Sequence, residues 1–404
     1  MTKDAQTSIT TEEKEDKVRA RAGPLKGIRV LDFTNMLSGP YCTRLMADLG
    51  AQVIKIEPRE GDHNRSRRPV RNKQSSFFGQ LNCGKLSVVL DLKTDIGRNT
   101  AKALARQSDV IVENWRPSVA NRLGVGYETL RQDNPRLIYC SISGFGQTGP
   151  KALYPAYAPI IHAASGYDLA QVEYQGGGRP ANTGTFIADV FGGLAAFGAI
   201  QTALVRRQQC DEGQFIDVAM LDAMLNYLVY EVQEAQSPSD EAIRVYQPVK
   251  TTDGYVVVAP TSQKNFVLLA QTLGHPEWLN DPRFSSTRHR EANWSVLMDL
   301  IEIWTAQRSG KECENTLLAA GVPCSRYQTV AEALQEPQLA VRGSLSPVSD
   351  PAGSYLVPHA PFMMPGLDIR PRSRVPSLGE DGEAVLGELL GYSAAQVRAC
   401  AGDA

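Results

Sequence analysis

Short, nearly unbroken apolar runs punctuate the first half of the chain at Ile28–Phe33, Gln52–Glu57, Ser87–Leu92, Asp109–Glu113, Leu137–Ser143 and Gln214–Ala219. Runs of this kind, bounded by Gly, Pro or polar turns, predict strands buried on both faces, as in a parallel sheet. Helical stretches lie between them. Ser38-Gly-Pro40 opens one that runs through Tyr41 to Leu49 and stops at Gly50, with Pro40 at the tolerated first position. Gly97–Gln107 reads as a second, and Met220–Ala235 as a long helix leading out of the region. Strand, helix and strand within about 30 residues make a βαβ unit, so residues 24–236 are expected to form a Rossmann-like large domain.

The pattern changes after Ser237-Pro-Ser-Asp240, which reads as a linker. Thr252–Ala259 is a turn and strand, Asn265–Leu273, Leu297–Gln307 and Lys311–Ala320 are amphipathic helices, and Gly321–Cys324 returns to a strand. Linker and small α+β domain together span 237–348. Residues 349–404 read as a return linker and two helices, Glu383–Leu390 and Ala394–Ala399, packing on the large domain.

Composition narrows the function. With 42 Lys+Arg against 44 Asp+Glu the net charge is -2, which gives no support to nucleic-acid binding. Seven cysteines without a C-x-x-C pair and five histidines without metal-ligand spacing indicate neither disulfides nor a metal site. No apolar run reaches about 18 residues, so no membrane-spanning helix is expected. Residues 1–23 are polar, without the apolar core of a secretory signal, and read as a disordered lead-in. A cytoplasmic location is the expectation. The first βα turn lacks G-x-G-x-x-G, and no P-loop motif occurs, so a dinucleotide or NTPase reading is weak.

Chemistry gathers at Gly184–Leu204, a stretch crowded with Ala and Gly that reads as a helix from Val190 onward. Asp189 stands at its start. A lone aspartate there is ordinarily an N-cap, but a carboxylate held ionised and aimed at Gly192 and Gly193 is also a candidate nucleophile. The basic loop Glu60–Lys73 reads either as solvated surface or as a rim for phosphate. Asn114-Trp115-Arg116-Pro117 ends a parallel strand, where open α/β sheets bind ligands, and Gly144-Phe145-Gly146 opens the next loop. Cys42, Cys83 and Cys140 read as small core residues.

Motifs in one order then carry a resemblance. Pro24-Leu-Lys-Gly-Ile-Arg-Val-Leu-Asp-Phe33, Asp48-Leu-Gly-Ala-Gln-Val-Ile-Lys-Ile-Glu-Pro58, Glu113-Asn-Trp-Arg-Pro117, Leu137–Gly146, Gly213–Asp222, Asp253-Gly-Tyr255, Asp281-Pro-Arg-Phe284 and Ala320-Gly-Val-Pro323 resemble the class III CoA-transferases. That family includes formyl-CoA transferase, carnitine CoA-transferase and α-methylacyl-CoA racemase. The resemblance implies an interlocked homodimer of ring-shaped subunits and Asp189 as catalytic nucleophile. It implies an acyl-CoA and a carboxylic acid as substrates, with no permanently bound cofactor, nucleic acid or membrane partner. The reaction implied is CoA transfer through an acyl-aspartyl anhydride and an aspartyl-CoA thioester, including transfer between two carboxylates of one diacid. CoA-contacting positions implied are Arg59, Asn82, Lys85, Asn114, Arg116 and Arg122. Leu37, Tyr157, Gly144, Phe145, Gly146 and Gly192 are implied near the acyl group.

Two departures stand out. Leu37 occupies the place of a glutamine in formyl-CoA transferase, which points to a larger acyl chain than oxalate or formate. A run of four glycines in that enzyme's small domain has no counterpart between Pro238 and Pro260. Tyr157, in Ala156-Tyr157-Ala158-Pro159, stands where racemases of the family carry histidine. His162, nearby, keeps an epimerase open as an alternative, with His162 as second base. A non-catalytic CoA-binding subunit of a heteromer is the other alternative.

Overall fold

The structure, a computed structural model, describes residues 23–238 and 246–402. The lead-in up to residue 22 and residues 239–240 of the linker lie outside the described residues. The chain divides into two compact units, one comprising 1–229 and 343–404, the other 230–342. From sequence alone the divisions were placed at 236/237 and 348/349.

The larger unit is built on six parallel strands. These are β1 (Arg29–Asp32), β2 (Gln52–Glu57), β3 (Leu86–Val89), β4 (Val110–Glu113), β5 (Ile138–Ser143) and β6 (Gln214–Ala219), in the order β3-β2-β1-β4-β5-β6. Val30 lies opposite both Val53 and Val110, so β1 is central and the strand order reverses beside it. Such a reversal opens a crevice at the carboxyl ends of the strands.

Successive apolar residues on each strand point to opposite faces, which explains the unbroken runs. Val30, Val53, Val112 and Ile142 meet Cys42 and Met46 of helix α1 (Ser38–Asp48) on one face. Leu31, Ile54, Ile111 and Tyr139 meet Ala101 and Leu104 of α2 (Asp95–Arg106) on the other. Val385 and Leu386 of the helix Gly382–Leu390 pack on that second face too. Thr94 caps α2, its hydroxyl accepting from the Gly97 N–H.

Three further helices complete the site's frame: α3 (Ala158–Ser165), α4 (Ile187–Cys210) and α5 (Met220–Tyr227). The long helix expected over Met220–Ala235 is two pieces, broken at Leu228, with the second at Val229–Glu234. α4 is long and apolar enough, by length and composition, to cross a membrane, against the expectation that no such run exists. One face of it joins the core, with Ala196, Ile200 and Ala203 buried, while 39% of its apolar stretch is buried in all. Within 343–404, Leu345–Asp350 and Gly353–Pro358 pair as an antiparallel hairpin that straddles the expected boundary at 348/349 and was not expected on either side of it.

The smaller unit holds a three-stranded antiparallel sheet, with Tyr255–Val258 between Val249–Lys250 and Cys324–Arg326. Helices Gln263–Leu273, Trp294–Thr305 and Gly310–Ala319 bury Phe266, Leu297, Ile301 and Leu317 in its core.

Candidate active site

Asp189 is the third residue of α4, which starts at Ile187 behind Phe186. It is therefore no cap for its own helix, contrary to the sequence expectation. The backbone N–H and hydroxyl of Ser38, the first residue of α1, and the N–H of Ala158, the first residue of α3, face its carboxylate and favour its ionised form. Three helix N-termini thus converge on one carboxylate, each directing the positive end of its dipole at it. Arg67, stacked against the rings of Phe77 and Phe186, adds a cation. Burial outweighs these groups and pushes the Asp189 carboxyl up to about 6, which leaves it mostly ionised at neutral pH.

His162 answers from the other side. Its Nε2 accepts from the Ala188 N–H at 3.1 Å, so α3 caps the start of α4, while Asp189 of α4 faces the start of α3. Its ring is fully buried, and burial lowers its pKa, consistent with a neutral imidazole whose Nε2 is already engaged. His162 does not line the Asp189 cleft, and no histidine does among the described residues.

α4 approaches α1 closely because of its glycines. A Cβ on Gly193 would lie 2.6 Å from the Ser38 carbonyl oxygen, and one on Gly192 would lie 3.1 Å from Cγ of Met220. Both glycines therefore serve packing, and it is Met220 that lines the cleft. Leu37 is similarly displaced from its expected role. It is buried as the residue preceding α1, while Met36 faces the cleft, so Leu37 says nothing about acyl size. Met36 holds a left-handed backbone (φ 63), pinned by a hydrogen bond from Asn64 Nδ2 to its carbonyl.

The cleft in front of Asp189 is lined by Asn35, Met36, Ser143, Gly144, Tyr154 and Tyr157, among others. Tyr157 is 64% exposed, and Phe145 packs edge-on against Tyr154 behind the cleft. Gly146, at φ 84, lets β5 turn away beside Asp217. Asn35 and Trp115 also border a neighbouring cavity of about 210 Å³ over the carboxyl ends of β1 to β4. Its walls include Phe33, Leu90, Leu92 and Trp115, with His63 and Lys93 at its polar margin. The rings of Phe33 and Trp115 lie 5.5 Å apart.

Several residues expected to touch CoA are engaged elsewhere. Lys85 is 1% exposed, and its Nζ donates to Asp32 (2.9 Å), Asn82 (2.8 Å) and the Pro40 carbonyl (3.1 Å). Asn82 is buried with it, donating to the Phe78 carbonyl. These two form interior framework, with every Lys85 proton used. Asn114 pairs through its amide with both backbone groups of Asn35, holding the loop ahead of α1. In the basic loop, Arg65 pairs with Glu57 and Arg71 with Asp350. Arg59, Arg116 and Arg122 are exposed, and only Arg116 lines the cleft. The sequence reading assigns no role beside Asp189 to Ser143, Met36, Ser38 or Arg67, although Ser38 opens the predicted helix and Arg67 lies in the basic loop.

A model of CoA-transferase family III matches residues 25–382. The acetyl-CoA:oxalate CoA-transferase of Acetobacter aceti is 36% identical over 374 residues, covering 90% of this chain and 95% of its own. The succinate–glutarate CoA-transferase of Agrobacterium fabrum is 32% identical, covering 91% and 96%. Among solved structures, a CaiB/BaiF family protein from Brucella suis superposes with a TM-score of 0.79 at 33% identity, covering 91% of this chain and 100% of its own. A six-stranded parallel sheet, a carboxylate gathered by three helix starts and these likenesses along nearly the whole chain lead to one assignment: the protein belongs to CoA-transferase family III.

Proposed function

We propose that the protein moves coenzyme A between an acyl-CoA and a carboxylic acid through covalent intermediates on Asp189. The observation that carries this is the Asp189 carboxylate itself, ionised near neutrality and turned into a cleft by the starts of α1 and α3. In the first step a carboxylate oxygen attacks the thioester carbon, the C–S bond breaks, and CoA leaves as the thiolate. The thiolate then attacks Cγ of Asp189, the anhydride C–O bond breaks, and the donor acid departs from an aspartyl-CoA thioester. The incoming carboxylate displaces CoA from Asp189, and CoA attacks the new acyl carbon, restoring the free aspartate. Each step forms one bond and breaks one, with no net proton change. The anhydrides would hydrolyse in water, so a partly enclosed cleft suits them.

The cavity against Phe33 and Trp115 suits the adenosine end of CoA, with Lys93 at its margin for phosphate. Arg59, Arg116 and Arg122 remain in this reading as surface cations for the phosphates. The border at Asn35 and Trp115 leads from that cavity to Asp189. The relatives named above each act on a dicarboxylate by their names, and we include a dicarboxylate as one partner acid here. An interlocked homodimer belongs to the same reading.

The test is transfer itself. Acetyl-CoA and succinyl-CoA are incubated with oxalate, glutarate and mesaconate, and acyl-CoA products are read by mass spectrometry. New acyl-CoA without accumulation of free CoA is expected. Release of free CoA alone, or deuterium entering the α-carbon without transfer, contradicts the proposal.

A further inference from the structure

We propose that Met36 sets the length of acyl chain the protein transfers, for the donor acyl group and the acceptor acid alike. Met36 is half-buried and lines the same cleft as Asp189. Two residues further on, the N–H and hydroxyl of Ser38 face the Asp189 carboxylate. Leu37 between them is buried. The turn ahead of α1 therefore brings Met36, and not Leu37, to the cleft beside the nucleophile. Ile142, Ala152, Ala156 and Met220 line the same cleft, so Met36 joins a largely apolar set.

The backbone under Met36 is held by its surroundings. A φ of 63 costs a residue other than glycine free energy, and it persists where neighbouring groups fix it. Asn64 Nδ2 donates to the Met36 carbonyl. Asn35 is bonded through both backbone groups to the Asn114 amide, at 2.9 and 2.8 Å. The Thr34 carbonyl accepts from the buried Lys55 Nζ at 2.7 Å, and the Thr34 N–H donates to Asp32 at 2.9 Å. Side chains from β1, β2, the basic loop and the end of β4 thus hold one short turn. With that backbone fixed, the room in the cleft varies with the side chain at position 36. Methionine is unbranched and fills an apolar space by rotation. A methylene gained or lost against such a wall changes transition-state binding by about 10-fold or more. In the proposed reaction the donor acyl carbon bonds to an Asp189 oxygen as its C–S bond breaks. The acceptor acid later forms the matching anhydride with Asp189 as CoA leaves the aspartyl carbon. Both acyl chains occupy one place in turn, so a wall there reads both. A residue that touched only CoA would distinguish neither.

This inference rests on transfer through Asp189, and the experiment separates the two. kcat/KM is measured for mono- and dicarboxylic acyl-CoAs of increasing chain length, and separately for the matching free acids as acceptors. Wild type, Met36→Ala, Met36→Gly and Leu37→Ala are compared, with melting temperatures alongside. Met36→Ala is expected to favour chains longer than the wild-type optimum by about 10-fold or more, in both series. Met36→Gly should shift both series the same way and melt above Met36→Ala, since glycine takes the left-handed backbone without strain. Leu37→Ala should melt lower and keep the wild-type length profile. An unchanged profile in Met36→Ala overturns the role of Met36 and leaves transfer through Asp189 standing. A shift in the donor series alone, a uniform fall across both series, or an equal shift in Leu37→Ala also overturns it. Absence of transfer by wild type with every pair overturns both.

Discussion

Asp189 is a charged group held where burial opposes its charge, and two pH effects follow. As a nucleophile it must be ionised, so transfer should decline with a one-proton slope as pH falls through about 6. Stability runs the other way. The folded carboxyl sits at about 6, above the ~3.9 of an unfolded aspartate, so its contribution is fully present below the unfolded value. That contribution is lost as pH rises through about 6. Asp189→Asn, inactive by a factor on the order of 10⁴ or more, should therefore melt above wild type near pH 8, with the gain shrinking toward pH 4. Equal melting at both pH values would contradict the burial argument. Lys85 makes a different prediction. Its removal leaves Asp32 buried without its lysine partner, so Lys85→Ala should cost roughly 3–5 kcal/mol in urea unfolding. A cation that only touched CoA would raise KM and leave unfolding unchanged. The family resemblance implied Lys85 as a CoA contact, and its buried partner Asp32 lies 53 residues away in the chain. Nothing local to Asn82-Cys83-Gly84-Lys85 shows that the lysine points inward.

Helices meet at Asp189 through their starts, and the contact depends on α1 and α4 lying almost backbone to backbone. Gly193→Ala would press a methyl onto the Ser38 carbonyl, for an expected loss of about 1–3 kcal/mol in unfolding. Because Ser38 also faces Asp189, transfer should fall with it. Gly198→Ala on the same helix meets nothing within 4 Å and should be neutral or gain up to about 1 kcal/mol. Similar effects at both glycines would contradict the close crossing. The strands were legible because each is a short apolar run, five of them buried on both faces and only the edge strand β6 half exposed. The start of α4 was less so. Aspartate is a favoured cap residue, whereas Phe186 has no side-chain oxygen with which to advertise a helix start. The capping of α4 by His162 joins residues 26 apart through a backbone N–H group, and Asp189 meets the start of α3 across a comparable separation. Such groups leave no trace in side-chain pattern.

Across the whole molecule, the strand order sets where chemistry occurs. Its reversal beside β1 brings Asn35, Asn114 and Ser143 from three strand ends to the cleft that Asp189 of α4 lines. The parallel sheet and a second, smaller unit could be read from apolar runs and a change of pattern. The hairpin 345–358 could not, since Ser346, Pro347 and Ser349 break its apolar alternation. Sheet, helix starts and cleft all converge on the Asp189 carboxylate, and the direct measurement is to catch it in a covalent state. The protein is incubated with a series of acyl-CoAs, quenched with borohydride or hydroxylamine and digested, and the peptide carrying Asp189 is weighed. A reduced or hydroxamate Asp189, formed with a substrate acyl-CoA and absent in Asp189→Asn, is the predicted result. Unmodified Asp189 under conditions where CoA is demonstrably transferred would contradict it.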